Sequence, residues 1–230
     1  MKTKKYITIG LAFLMLIVAS INMTPEEKEY SFWVWRNTDM NLVSSNDHLV
    51  LYQGNLNKAW KFQPLGVTPS KIPQKEITLL LRLYKLGPVE DISQFYKRRV
   101  REWKEYGVYV QGLEIDYDSP SFKLNTYSKW LIDLRNRHSA SLSVTSLSTY
   151  VWDNPSGLLK VADSVDYISM QLYRGYYVHP KYDEVVHWLN KNKVLHRVGV
   201  TQSSDFDKAD DICLTYCEGI NVFLNRRDSK

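Results

Sequence analysis

From Tyr30 onward, short runs dense in Val, Ile, Leu, Tyr and Trp alternate with longer segments whose apolar residues recur every three or four positions. Eight runs have the composition of β-strands: Tyr30 to Arg36, His48 to Gln53, Glu76 to Tyr84, Val108 to Asp118, Ser141 to Leu147, Asp166 to Tyr173, Leu195 to Thr201 and Gly219 to Asn225. Between them, Asp91 to Tyr106, Phe122 to Arg137, Pro155 to Ala162, Tyr182 to Asn192 and Asp205 to Tyr216 carry the helical spacing. Asn55 to Lys75 contains Pro64, Pro69 and Pro73 and is expected to be an irregular loop.

Strand alternating with helix predicts a parallel sheet, and eight strands in this order predict closure into a (β/α)8 TIM-type barrel. No helical stretch follows the eighth run. The barrel is therefore expected to be small, to lack its last helix, and to have the option of staying partly open. No internal repeat or interdomain linker divides residues 30–230, which are read as one domain.

The first residues differ in kind. Lys2, Lys4 and Lys5 precede an uncharged run from Tyr6 to Thr24, the layout of a signal peptide, and the run is also nearly long enough for a single membrane anchor. Residues 1–24 are expected to be one or the other, followed by a short polar linker over 25–29. The protein is then exported, to the periplasm or the extracellular space, or anchored in the inner membrane by residues 6–24. This changes the meaning of the charge: the 30 basic and 25 acidic residues of the whole chain become 27 and 25 without the three leader lysines, close to neutral. Arg98, Arg99, Arg101 and Lys104 fall on a predicted helix interleaved with Val100, Trp103 and Tyr106, which reads as a solvated face. Nucleic acid is not expected as a partner, nor a membrane beyond the N-terminal segment.

Cys213 and Cys217, four apart in a segment read as helical, are expected to be two semi-buried thiols, because a disulfide between successive turns of one helix has poor geometry, although an export route leaves their oxidation open. The five histidines show no paired spacing, and there is no Gly-rich phosphate loop and no nucleophile-elbow Ser. Nucleotide enzymes, zinc hydrolases and serine hydrolases are disfavoured; no cofactor and no metal is expected.

The chemistry is concentrated in Gln111-Gly-Leu-Glu-Ile-Asp-Tyr-Asp-Ser-Pro120. Side chains alternate across a strand, so Glu114, Asp116 and Asp118 share one face and Leu113, Ile115 and Tyr117 the other. In a barrel the apolar face packs on the helices, which turns three carboxylates inward. A strand built only for stability would avoid that arrangement. Ser119 and Pro120 end the strand just past Asp118, and barrel active sites form at the carboxyl ends of strands. Carboxylates roughly 6 to 7 Å apart along one face raise one another's proton affinity. The structural alternative is a cluster neutralised by Arg82 or Arg36.

In Val165-Asp-Tyr-Ile-Ser-Met-Gln-Leu-Tyr-Arg174, alternation places Ser169, Gln171 and Tyr173 on one face of the sixth strand. The Gln171 amide and Tyr173 hydroxyl can hydrogen-bond a substrate from across the barrel. Trp33, Trp35, Tyr150 and Trp152 offer faces on which sugar rings stack.

Gln111 to Asp118 resembles the family-18 chitinase signature, an Asp-Gly-x-Asp-x-Asp-x-Glu strand that ends in the catalytic acid, and Asp166 to Tyr173 resembles that family's sixth-strand segment ending in Met-x-Tyr. Gly112, Asp116 and Tyr173 match; Gln111, Glu114, Asp118 and Gln171 replace the leading Asp, the next Asp, the acid Glu and the Met. The chain from Trp33-Val-Trp35 through Leu142 to Leu147 and on to Asn221-Val-Phe223 resembles still more closely a bacterial family of unknown function with glycosidase-like barrels. The resemblance implies a glycoside hydrolase acting on an envelope or extracellular polysaccharide or oligosaccharide. Its catalytic residues would be Asp118 as general acid with Asp116 and Glu114, and Tyr173 would hydrogen-bond the substrate. Read from the residues themselves, Gln171, Arg82, Trp33, Trp35 and Trp152 complete the expected substrate-binding set. The alternative is a non-catalytic carbohydrate-binding or envelope-assembly barrel.

Overall fold

The structure, a computed structural model, describes residues 29–224 except 58, 60, 138, 176 and 203–206; the leader read over residues 1–24 lies outside them. Eight strands make the barrel: β1 Tyr30–Val34, β2 His48–Leu56, β3 Glu76–Leu83, β4 Tyr109–Asp116, β5 Ser141–Leu147, β6 Tyr167–Gln171, β7 His196–Thr201 and β8 Cys217–Phe223. Each falls on one of the eight runs. All pair in parallel with their neighbours in chain order, and β1 pairs both with β2, from Ser31 opposite His48, and with β8, from Tyr30 opposite Ile220. The barrel is therefore closed. The β1–β8 ladder supplies the closure directly, so the expected option of a partly open barrel is corrected: a helix outside β8 is not what holds the last strand.

The helical layer is thinner than the strand layer. Among the described residues, α1 (Val89–Glu105) follows β3, α2 (Leu124–Arg135) follows β4, and α3 (Tyr150–Asp153) and α4 (Pro155–Ala162) follow β5. Then α5 (Tyr182–Lys191) follows β6 and α6 (Asp207–Ile212) follows β7. β1 leads only into a 3-10 turn, Asn37–Leu42, and β2 into the proline-rich loop, with a two-residue strand, Phe62–Gln63, folded back antiparallel on its end. Gly54 makes that return possible. It sits at φ +137° in a β-bulge, and a Cβ there would stand 2.1 Å from the Gln63 carbonyl oxygen. α4 starts where its sequence dictates: the Asn154 side chain accepts a 2.9 Å hydrogen bond from the Gly157 N–H, with Pro155 in the first turn.

Two surfaces of the barrel wall carry different chemistry. Leu79 and Leu81, Leu113 and Ile115, Ile168 and Met170, Val198 and Val200, and Ile220 and Val222 belong to one buried apolar cluster with helix residues such as Ile92, Trp103 and Leu131. The residues between them line the interior. Some form a second, smaller cluster of Trp33, Val50, Tyr52 and Leu80, against which Trp35, Tyr173 and Phe223 pack. The others are polar and buried: Ser31, Thr78, Glu114, Asp116, Ser143, Thr145, Ser169, Thr201 and Asn221. Barrel interiors are usually filled by bulky aliphatic side chains. Here a Trp fills part of the space, and Gly199 admits it, since a Cβ on Gly199 would lie 3.3 Å from the Trp33 ring and 3.0 Å from the Met170 carbonyl oxygen.

Two further expectations are revised. The sixth run is not one strand through Tyr173: β6 ends at Gln171, and Tyr173–Arg174 pairs antiparallel with Tyr177–Val178 in a small hairpin. Cys213 and Cys217 are joined in a disulfide, not left as thiols. α6 ends at Ile212, so Cys213 lies beyond the helix and Cys217 opens β8; a turn between them brings their Cα atoms to 5.1 Å, within disulfide range.

Candidate functional site

β4 delivers its acids at three depths. Glu114 is fully buried in the barrel interior, Asp116 is buried at the end of the strand, and Asp118, just past it, has a side chain 49% exposed. β5 and β3 hold them from either side. Ser143 donates to Glu114 Oε2 at 3.3 Å and Thr145 to Asp116 Oδ1 at 3.0 Å, both from β5. Arg82, near the end of β3, spans the upper two, its Nη1 3.5 Å from Asp116 Oδ2 and its Nη2 3.3 Å from Asp118 Oδ2. Arg36, the other candidate counter-ion, instead donates its backbone N–H to Asp39 at 3.1 Å.

Burial raises the Glu114 carboxyl from 4.5 to about 7; Asp116 adds to the rise, while Ser169, Arg197 and Ser143 oppose it. Asp116 is raised for the same first reason, with Asp118 adding and Arg82 and Thr145 opposing. Burial and the nearby carboxylates raise the Tyr173 hydroxyl too, so it stays protonated and available as a donor. The loop after β4 is fixed from β5's side, where the buried Tyr150 donates its hydroxyl to the Ser119 carbonyl oxygen at 2.6 Å.

Above Asp116 opens a cavity of about 450 Å³ lined by Trp35, Arg82, Asp116, Asp118, Gln171, Tyr173, Gly175 and Phe223. Its location is the carboxyl end of the strands. One wall is aromatic: Tyr173 and Phe223 stack with centroids 5.9 Å apart and planes 14° apart, and Trp35 meets Phe223 edge-on at 5.6 Å. Trp35 rests in turn on Tyr52 at 4.4 Å. A second cavity, about 430 Å³, lies between the Asn37–Leu42 turn and the loop at Thr68 to Gln74; Lys71 is the one charged residue that lines it. Among the described residues, no group of three or more His, Cys, Asp or Glu is placed to hold a metal ion.

Six of the residues singled out in the sequence thus share one pocket: Asp116, Asp118, Arg82, Gln171, Tyr173 and Trp35. Glu114 lies beneath it. The structure does not bring Trp33, Tyr150 or Trp152 to it. Trp33 is 1% exposed inside the barrel, and Tyr150 is buried behind Ser119. Trp152 stands apart, stacked on His179 at 5.9 Å, with Lys181 Nζ 5.2 Å from its centroid and its Nε1 donating to Glu184 at 3.2 Å. Phe223, Thr145 and Ser143 were missed as site residues. Alternation through Ser141 to Leu147 places Ser143 and Thr145 on one face and identifies them once β5 is set beside β4.

The profile of a family described as Domain of unknown function (DUF3142) matches residues 82–176, a stretch that runs from Arg82 past Tyr173 and so contains every polar lining residue of the pocket. No curated protein sequence matches the chain. Among solved structures, the apo endo-beta-N-acetylglucosaminidase from Cordyceps militaris is similar at 10% identity and a TM-score of 0.52, over 86% of this chain and 81% of that one. An enolase protein from environmental shotgun sequencing of the Sargasso Sea is similar at 10% identity and a TM-score of 0.44, over 91% of this chain and 57% of that one. At such identity the likeness to the endoglycosidase shows the fold alone, a TIM-type barrel.

Proposed function

We propose that this chain is a glycoside-hydrolase-like protein that takes a segment of an envelope or extracellular polysaccharide into the pocket at the barrel mouth and hydrolyses it by carboxylic-acid catalysis. The observation that carries the reading is the convergence in one cavity of Asp116, Asp118, Gln171 and Tyr173 with the rings of Trp35 and Phe223. Carboxylates and aromatic faces are what a sugar needs: acceptors for its hydroxyls and a flat surface for its ring. Asp118, the most exposed acid, gives its proton to the glycosidic oxygen as the bond from that oxygen to the anomeric carbon breaks; a water molecule then adds at the anomeric carbon and returns a proton to Asp118. Asp116, anchored by Thr145 and Arg82, orients the sugar and stabilises positive charge at the anomeric carbon, while Tyr173 donates a hydrogen bond to the substrate. The family-18-like strand and the barrel fold of the Cordyceps militaris endo-beta-N-acetylglucosaminidase support the same reading.

One observation favours a second reading. Arg82 lies 3.5 Å from Asp116 Oδ2 and 3.3 Å from Asp118 Oδ2, so both acids are engaged as partners of a cation, an arrangement suited to accepting hydrogen bonds from sugar hydroxyls without giving up a proton. In a non-catalytic carbohydrate-binding or assembly protein the same acids bind sugar hydroxyls. Export belongs to the proposal under either reading. The leader-like residues 1–24 support it, and so does the Cys213–Cys217 disulfide, a bond characteristic of oxidising compartments.

The test is reducing-end release from a panel of acetamido, amino and neutral polysaccharides by the purified chain and by Asp118→Asn. Hydrolysis is expected to fall by about 100-fold or more in the variant. Glycan binding with no release by either protein supports the second reading, and neither binding nor release overturns both.

A further inference from the structure

We propose that the pocket selects glycans carrying free amino groups, with a protonated amine lodged between the Asp116–Asp118 pair and the aromatic wall; this rests on the glycan reading above. The charged residues lining the cavity are Arg82, Asp116 and Asp118, one cation against two carboxylates. Arg82 lies against both acids and balances one of them, so with both ionised the lining carries one excess negative charge, which a neutral sugar leaves uncompensated and a bound ammonium group balances. Glu114, buried beneath Asp116, deepens that potential as it ionises near neutrality.

The other lining groups suit the same ligand. Trp35, Tyr173 and Phe223 present ring systems to the cavity, and aromatic faces attract a cation within about 6 Å of their centroids. Carboxylate below and aromatic wall beside is the combination that stabilises an ammonium group, whereas an N-acetyl group is uncharged and gains nothing from the excess negative charge. No bond is made or broken in this step. It concerns which sugar the pocket holds, whether or not Asp118 then cleaves it.

Calorimetric titration of the purified full chain with a β-1,4-linked glucosamine hexamer and with its fully N-acetylated counterpart tests the proposal. The amine form is expected to bind tighter by on the order of ten-fold at low salt, a gap that narrows as salt screens the charge. Asp118→Asn, at a half-exposed position whose folding is checked by circular dichroism, is expected to reduce the preference to less than about two-fold. Equal or tighter binding of the acetylated form, or a preference unmoved by Asp118→Asn, overturns the amine proposal while leaving the glycan reading intact. Failure of both oligomers to bind overturns the amine proposal and counts against the glycan reading.

Discussion

The guanidinium of Arg82 bridges Asp116 and Asp118, one nitrogen 3.5 Å from the first carboxylate and another 3.3 Å from the second, so a single cation governs both acids at the mouth of the barrel. Only the Asp118 arm of this bridge is solvent-screened; Asp116 is buried, and removing its cation leaves a buried carboxylate uncompensated. Arg82→Gln is therefore expected to destabilise the chain at neutral pH by on the order of 1 to 3 kcal/mol. Its second effect is on protonation. Arg82 is the main influence opposing the raised proton affinity of Asp116, so its loss moves the acid limb of the glycan-binding pH profile upward. Binding measured from pH 4 to 8 checks this; an acid limb that does not move in the folded variant contradicts it.

Glu114 gives the fold a pH dependence of its own. Its carboxyl is raised in the folded state from 4.5 to about 7, so between those values the folded chain holds a proton that the unfolded chain has released. Stability contributed by this group is full below pH 4.5 and is lost as pH rises through about 7, by on the order of 3 kcal/mol. Glu114→Gln removes the ionisation, and with it most of the decline. Urea unfolding of both proteins at pH 5 and pH 8 measures it. A wild type that does not lose stability relative to Glu114→Gln between those values would show that Glu114 is not the responsible group.

Gly199 is the place where the interior leaves room for Trp33. A methyl group there meets the indole at 3.3 Å and the Met170 carbonyl at 3.0 Å, so the ring or the β6 backbone has to move. Gly199→Ala is expected to destabilise the chain by about 1 to 3 kcal/mol, the usual cost of overpacking, and to shift tryptophan fluorescence. A variant as stable as wild type, with an unchanged spectrum, contradicts this packing.

The strands were legible because each satisfies two demands at once: β-forming composition, and alternation that puts Leu113 and Ile115 against the helices and Glu114 and Asp116 inside. Alternation also placed Gln171 and Tyr173 correctly on the inner face, although it did not reveal that Tyr173 leaves β6 for a hairpin. What was not legible depends on distance in space. Phe223 reaches the pocket only because β8 closes onto β1, a pairing that no local pattern announces. Trp33 and Trp35 read alike in sequence, and both point inward. Trp33 lies a layer deeper, where Val50, Tyr52 and Leu80 pack around it. The disulfide was misread because helical spacing was extended through Tyr216, past the turn that ends α6 at Ile212.

The central claim, that glycan enters the mouth pocket, is tested most directly by two tryptophans that look equivalent in sequence. Trp35 lines the pocket; Trp152 is engaged with His179, Lys181 and Glu184 outside it. Glycan affinity is to be measured for Trp35→Ala and Trp152→Ala, with folding confirmed by circular dichroism. Loss of a stacking face in Trp35→Ala is expected to weaken binding by about ten-fold or more, and Trp152→Ala to leave it within about two-fold of wild type. Binding that survives loss of Trp35 and fails with loss of Trp152 would contradict the account and put the glycan elsewhere.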